Sequence, residues 1–368
     1  MTKRFTLDRL KRINLVSLRN RGFKALFTLA RFTALLLFIS TIAILIRVFV
    51  AELYYIPSSS MNSTLYEGDV VLVNKTNYGA LLPRKPVDIP LISGLLFIKP
   101  MEKWLLEKKW KYHRTAALDG MKRGDVVAFR FPQGDEMFIK RCVALPGDTL
   151  RIKHDVVYVN KKEQLLPDSA RLYYRMQTSN NSYTDKELKD LISRKDQLAE
   201  TDSCGCLLRL KPVEVKTLRR NVKVKSLVYF EDTFTGRSQD YFPYKASLHW
   251  NSSNYGPIVV PKKGVTIRLD TAILAFYSSI IQDCEENKLD VVGGAIFING
   301  KKSQTYTFKM NYYFMMGDNR LDSSDSRFRG FVPEDQVIGK ATHILFSLEK
   351  DPWKKKCFRT ERVIKSVC

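Results

Sequence analysis

The chain has 368 residues, with 61 Lys and Arg against 38 Asp and Glu, for a formal net charge of +23. An apolar share of 45% and an aromatic share of 11% exclude a wholly disordered chain, and six cysteines are too few for a disulfide scaffold of this length. Where the basic excess sits decides whether a nucleic acid is expected as a partner.

Residues 1–31 carry nine Lys and Arg and one acid, Asp8, a net +8. Phe32–Ile46 follows without a charge, and the run to Ala51 is 20 residues long with Arg47 near its end. Twenty residues span the roughly 30 Å hydrocarbon layer, and the stem of Arg47 can carry its guanidinium to the headgroups. Phe49-Val-Ala-Glu-Leu-Tyr lacks the small-residue pattern of a signal-peptide cleavage site. Residues 32–51 therefore predict a transmembrane anchor. The basic flank at 1–31 predicts the cytoplasmic side, which leaves residues 52–368 extracytoplasmic.

Lys99–Arg123 and the tail Lys350–Cys368 each add a net +5, so three stretches hold 18 of the 23 excess charges. None interleaves aromatic and basic residues as a nucleic-acid-binding module does. A basic surface resting on anionic lipid fits better, and nucleic acid is not expected as a partner.

Beyond the anchor, apolar residues alternate or come in short β-branched runs, which predicts a mostly-β fold. Examples are Asp69-Val-Val-Leu-Val-Asn, Asp125-Val-Val-Ala-Phe-Arg-Phe, Met137-Phe-Ile-Lys-Arg-Cys-Val-Ala-Leu and Asp155-Val-Val-Tyr-Val-Asn. Val157-Tyr-Val-Asn-Lys-Lys and Phe297-Ile-Asn-Gly-Lys-Lys echo each other, either as two similar hairpin arms or by coincidence. Thr184-Asp-Lys-Glu187 is a capping box ahead of a helix, and Asp270–Gln282 fits a second one. The pattern divides the chain into a basic segment 1–31, the anchor 32–51, a β core from 52–80, 120–155 and 305–348, an insertion 81–119, an inserted α+β second domain 156–304 and a basic tail 349–368.

Of four histidines, none lies in a nucleophile motif, so a Ser-His-Asp arrangement has little support. Cys204-Gly-Cys206 has no second ligand pair at zinc spacing, and Cys142 alternates with strand residues as a small core side chain. No metal or cofactor is expected.

Three stretches stand out. Pro57-Ser-Ser-Ser-Met-Asn-Ser-Thr-Leu65 places a run of hydroxyls just after the anchor; a polar linker is the plain alternative, but strand-like sequence resumes at once. Lys140 sits mid-strand, where alternation puts Lys140 and Cys142 on one face and Ile139 and Arg141 on the other. If buried, its amine would lose its proton easily and could act as a base. Gly317-Asp-Asn-Arg-Leu-Asp-Ser-Ser-Asp-Ser-Arg327 reads as a hydrogen-bonded loop; its arginines argue against a calcium loop.

Together, in this order behind an anchor, the three stretches resemble the boxes of the type I signal peptidases, membrane-anchored serine proteases that remove signal peptides from exported proteins. The first is similar to their Pro-Ser-x-Ser-Met-x-Pro-Thr-Leu box, Phe138–Asp148 to their lysine box, and Met316–Arg327 with Gly330-Phe-Val-Pro-Glu334 to their third box. Ser63 replaces the usual proline, which is expected only to loosen that turn, and Leu321-Asp322 replaces the usual Asp-Asn.

The resemblance implies a signal-peptidase-like β core and Ser60 as nucleophile. It implies Lys140 as general base and an oxyanion hole from the Ser58 hydroxyl and the Ser60 backbone N–H. It further implies that Ser323 orients Lys140, while Asp318, Asp325, Arg327 and Arg141 support the loop. Exported preproteins would be cleaved after Ala-x-Ala at the outer face of a bacterial inner membrane, with Ile56 and Ile139 lining the shallow pockets. A Ser-Lys protease of related fold acting on another target, and a membrane-tethered peptide-binding protein without activity, are the competing readings.

Overall fold

The computed structural model describes residues 26–89, 99–132, 134, 136–164, 170–179, 183–203, 205–231, 238–351 and 358–367. Cys204, most of the basic segment 1–31 and the lysines at 354–356 lie outside them. The chain divides into two compact units, Met1–Val50 with Pro83–Lys111, and Ala51–Leu82 with Tyr112–Cys368.

In the first unit an apolar helix runs over Leu26–Val50, 25 residues of mean hydropathy 2.5 with its side chains exposed. Among the described residues it already includes the six positions before the predicted anchor, 26–31, of which Leu26, Phe27, Leu29 and Ala30 continue the apolar surface. The guanidinium of Arg31 folds back over the Phe27 ring at 4.4 Å. The helix is long enough to cross a bilayer. The same unit contains a helix over Lys99–Glu107 that buries Leu105 and exposes Trp104 and Leu106. The Pro and Lys content of this stretch gave no sign of a helix.

The second unit is built on one sheet. Its strands are β1 (Ala51–Tyr55), β2 (Asp69–Asn74), β3 (Val126–Arg130), β4 (Met137–Ala144), β5 (Tyr312–Met316), β6 (Val332–Pro333), β7 (Val337–Ser347) and β8 (Lys365–Ser366). The order is β1-β2-β7-β3-β4-β5-β6, with β8 added to β7 and all pairs antiparallel. Strands about 200 residues apart in sequence, such as β3 and β7, are thus neighbours.

Both faces of this sheet are covered, as the apolar run Val126–Phe129 of β3 requires. On one face Val126, Ala128 and Ile139 pack with Ile56, Met61, Leu65, Val71 and Ile344. On the other, Val127, Phe129, Cys142 and Met315 pack with Phe131 and Val337, and Phe138 lies against them.

Residues 149–164 form a hairpin sheet joined by Tyr255–Val259, and their apolar faces share one core with Leu274, Tyr277, Ile281, Phe308 and Phe314. The two echoed sequences are both two-residue hairpins. Asn160 and Lys161 in one turn, and Asn299 and Gly300 in the other, all have positive φ, as a type I′ turn needs. A separate four-stranded sheet, ordered 224–229, 172–178, 205–210, 198–202, packs on the helices Asp185–Leu191 and Pro212–Leu218 around Met176, Leu188, Leu208 and Leu218. The capping box of Thr184 and Glu187 forms, and Asp270 caps Thr271–Ser279 by accepting from the Ile273 N–H.

Two arginines of the basic tail do not lie at the surface as charge counting along the sequence suggests. Arg359 and Arg362 are both buried. Arg362 holds the carboxylate of Asp69 and donates to Thr64 O at 2.9 Å, while Arg359 pairs with Glu349 at 2.6 Å. Buried carboxylates at Asp69 and Glu349 draw these arginines inward; charge counting along the sequence does not register such partners.

Candidate active site

The helix ends at Val50 and β1 begins at Ala51, so no linker separates them. After β1, Ile56 turns inward, Ser58 takes an extended conformation and Ser59–Met61 close a single 3₁₀ turn. The turn points Ser60 into the unit, where it is buried. Antiparallel pairing of β4 to β3 brings Lys140 to the same place. Its face is that of Phe138 and Cys142, as alternation predicts, and the side chain is only 4% exposed.

Lys140 Nζ donates a hydrogen bond to Ser60 Oγ, and Ser58 Oγ lies 3.3 Å from Ser60 Oγ. Burial pushes the Lys140 amine down to about 8 from its ordinary 10.5, while the carboxylates of Asp325, Asp322 and Asp318 partly restore it.

The third loop leaves β5 at Gly317 and folds against the serine turn. The Asn319 N–H donates to Ser60 O at 3.1 Å, and Asn319 Nδ2 donates to Ser59 O at 3.2 Å. Asp322 accepts from the Ser59 hydroxyl, which links the loop to the turn from the other side. Gly317 sits where a side chain has no room. A Cβ there would lie 2.2 Å from Ser323 Oγ and 2.6 Å from Ser60 O.

Two buried ion pairs hold this arrangement. Arg141 grips Asp318 with two bonds of 2.8 and 2.7 Å, reaches Gly124 O at 2.6 Å, and shares Thr64 with the same carboxylate. Arg327 grips Asp325 with bonds of 3.0 and 2.9 Å and donates to Arg320 O. Asp325 also accepts from the Gly317 N–H at 3.0 Å. Burial alone would raise both carboxyls, but the guanidinium partners hold Asp318 and Asp325 below the usual carboxylate range. Ser323 is buried beside Gly317; among the described residues its Oγ has no hydrogen-bond partner, so it makes no bond to Lys140 in this structure.

A cleft of about 500 Å³ opens over this pair, lined by Tyr54–Met61 on one side and Glu136–Lys140 on the other, with Asp322, Ser324 and Arg329 at its rim. Ile56 and Ile139 both line it while belonging to the core beneath. Two strand edges flank it. Among the described residues β1 pairs only with β2, and Met137–Lys140 pair only with β3 because β5 joins β4 from Arg141 onward.

Sequence reasoning singled out Ser58, Ser60, Lys140, Ser323 and the four charged supports, but not Ser59, Thr64, Asn319 or the steric role of Gly317. Asp322 appeared only as a departure from a family pattern. The reading of Ser63 needs correction. Its φ is +97°, a conformation proline cannot adopt, so the residue does not merely loosen a turn that proline would have fixed.

A mostly-β unit that buries a serine hydroxyl against a lysine amine at the head of a cleft holds a nucleophile and a basic group within reach of each other, the composition of a covalent hydrolase site. The sequence matches the family described as signal peptidase, peptidase S26, over residues 29–204 and 286–346. It is 29% identical to a signal peptidase I of Buchnera aphidicola over 84% of this chain and 72% of that protein. It is 25% identical to one of Rickettsia akari over 86% of this chain and 79% of that protein. A signal peptidase I of Helicobacter pylori is 27% identical over 89% of each chain. The chain belongs to the signal peptidase family, peptidase S26.

Proposed function

We propose that the protein is a membrane-anchored serine endopeptidase that removes signal peptides from exported preproteins, with Ser60 as nucleophile and Lys140 as general base. The observation that carries this is the contact between Lys140 Nζ and Ser60 Oγ in a cleft whose walls are two strand edges. Lys140 acts as a base only when neutral. An ordinary lysine would be almost wholly protonated near pH 7, but an amine lowered to about 8 is neutral in roughly one molecule in ten. The neutral amine accepts the Ser60 proton as Oγ attacks the scissile carbonyl, and the resulting ammonium returns it to the leaving amine.

The Ser58 hydroxyl and the Ser60 N–H stabilise the tetrahedral oxyanion. Ser58 Oγ is exposed to the cleft yet within 3.3 Å of the nucleophile, which suits a donor that turns to the oxyanion as it forms. Ser323 orients Lys140 through its buried, unpartnered hydroxyl once the base loses its bond to Ser60. The substrate enters extended and adds main-chain hydrogen bonds to the free edges beside the cleft. Its small residues, Ala-x-Ala, fit the shallow depressions above Ile56 and Ile139, where a larger side chain would meet the core.

The nine Lys and Arg of residues 1–31 support a cytoplasmic N-terminus, with the catalytic unit on the outer face. Anchoring enzyme and substrate in one bilayer raises their effective concentration. Incubating the full chain in detergent with a synthetic preprotein and mapping the new N-terminus by mass spectrometry tests the reading. Cleavage after Ala-x-Ala, lost in Ser60→Ala, is expected; an equal yield from Ser60→Ala would overturn it.

A further inference from the structure

Two side chains directly after the serine turn, Asn62 and Ser63, are bound by residues from the separate four-stranded sheet. Asn62 is buried and its Nδ2 donates to Asp196 Oδ2. Arg171, 1% exposed, donates through Nε to Ser63 Oγ at 3.1 Å, and its Nη1 lies 3.4 Å from Asp196.

The topology explains why these two residues act together. Arg171 immediately precedes the strand 172–178, and Asp196 lies in the 3₁₀ turn before the strand 198–202. Both strands pair antiparallel to 205–210, so they run in the same direction and begin at the same end of their sheet. That end meets the nucleophile segment.

Arg171 also holds the third loop. Its backbone N–H donates to Asp318 O at 3.2 Å, and it forms a parallel bridge with Asn319. Asn319 in turn donates to Ser60 O, so one residue of the inserted sheet touches both segments that meet at the nucleophile. Behind Asp196, Arg194 lies 3.4 Å from that carboxylate and 3.4–3.5 Å from Glu349 and Asp351, which fixes the turn against the second unit's C-terminal region.

We infer that Asp196 and Arg171 are positioning residues, and that the inserted sheet acts as a brace that sets the Ser60 hydroxyl relative to Lys140. The inference rests on the Ser60–Lys140 reading above. Its physical content is that a turn held on one side by Asn319 and on the other by Asp196 and Arg171 cannot rotate. A displacement of the order of 1 Å at a nucleophile can cost about a hundredfold in rate. The two side chains used, Asn62 and Ser63, fall on the variable and the departing positions of the first box, so this brace is matched to this chain's own sequence.

The experiment measures kcat and KM of the full chain in detergent on a synthetic preprotein for Asn62→Ala, Asp196→Ala, their double variant and Asp196→Asn, with Ser60→Ala and Lys140→Ala as controls. The expected result is a fall in kcat of about tenfold in each single alanine variant and a KM within twofold. The double variant should be no worse than Asp196→Ala alone, because that change has already removed the bond that Asn62→Ala deletes. Asp196→Asn keeps an acceptor for Asn62 and should recover to within about threefold. Unchanged kcat in both single variants overturns the inference. So does a loss in the double variant equal to the product of the two, or one that follows the melting temperature and is not recovered by Asp196→Asn. If the Ser60 and Lys140 controls keep activity, the catalytic reading fails and not this one alone.

Discussion

Lys140 Nζ and Ser60 Oγ, 80 residues apart in sequence, are hydrogen-bonded to each other inside a unit whose sheet buries them both. The strand supplies the amine, the 3₁₀ turn supplies the hydroxyl, and burial lowers the amine toward the neutral form that the proposed mechanism uses.

The first consequence is a pH dependence of activity. With the amine lowered to about 8, kcat/KM should rise about tenfold per pH unit below pH 8 and level off above it. A profile measured between pH 6 and 10 checks this; a plateau reached already at pH 6 would exclude Lys140 as the titrating base.

The same burial affects folding, with the opposite sign to a stabilising ion pair. Between about 8 and 10.5 the unfolded chain holds a proton on Lys140 that the native chain lacks, so stability rises with pH across that window. Below it, the native state carries a penalty of about 3 kcal/mol. Denaturation of the native chain and of Lys140→Met should therefore converge by that amount as pH rises from 8 to 10.5. A constant difference would contradict it.

Gly317→Ala should inactivate the enzyme while leaving the sheet intact. The added methyl would sit 2.2 Å from Ser323 Oγ and 2.6 Å from Ser60 O, so the turn or the loop must move. The expected cost is about 1–3 kcal/mol of stability with a loss of activity of more than a hundredfold. Near-native turnover in this variant would show that the loop and turn adapt freely.

Importing the family's proline at position 63 should destabilise this chain. Proline locks φ near −65°, and Ser63 stands at +97° with its hydroxyl bound by Arg171. Ser63→Pro is expected to lower stability by about 1–3 kcal/mol or more, and Ser63→Gly to lose far less. Thermal unfolding of the two variants decides; a stabilised proline variant would mean the turn takes another conformation.

How much of this was legible beforehand follows from what a pattern can encode. The strand of Lys140 and its face were readable because period-two alternation is local, and the hydroxyl run after the anchor was conspicuous by composition. The contact between Ser60 and Lys140 was not readable from periodicity, since it depends on β7, near residue 340, entering between β2 and β3. The roles of Thr64 and Asn319 were not readable because they rest on long-range hydrogen bonds, to Asp318 and Arg141 and to the backbone of Ser59 and Ser60, which no local pattern encodes. Two arginines of the tail escaped for a related reason: Arg359 and Arg362 look like surface charge until Asp69 and Glu349, one of them nearly 300 residues away, are found beneath them.

The buried pair Asp325–Arg327 should be costly to break from one side. Arg327→Met leaves a buried carboxylate without its partner, and a loss of about 3–5 kcal/mol is expected. Because the folded state holds Asp325 and Asp318 below the usual carboxylate range, their contribution is present above pH 4 and disappears as pH falls through the folded values. Acid unfolding of the native chain, compared with Arg327→Met, measures this; identical acid transitions would contradict it.

The proposed transfer of the Ser60 proton to Lys140 is decided by single-turnover cleavage of a synthetic preprotein by full-length Lys140→Ala. No cleavage is expected at pH 8 from a variant whose melting temperature and secondary structure show that it remains folded. Cleavage by Lys140→Ala at the native rate would contradict it.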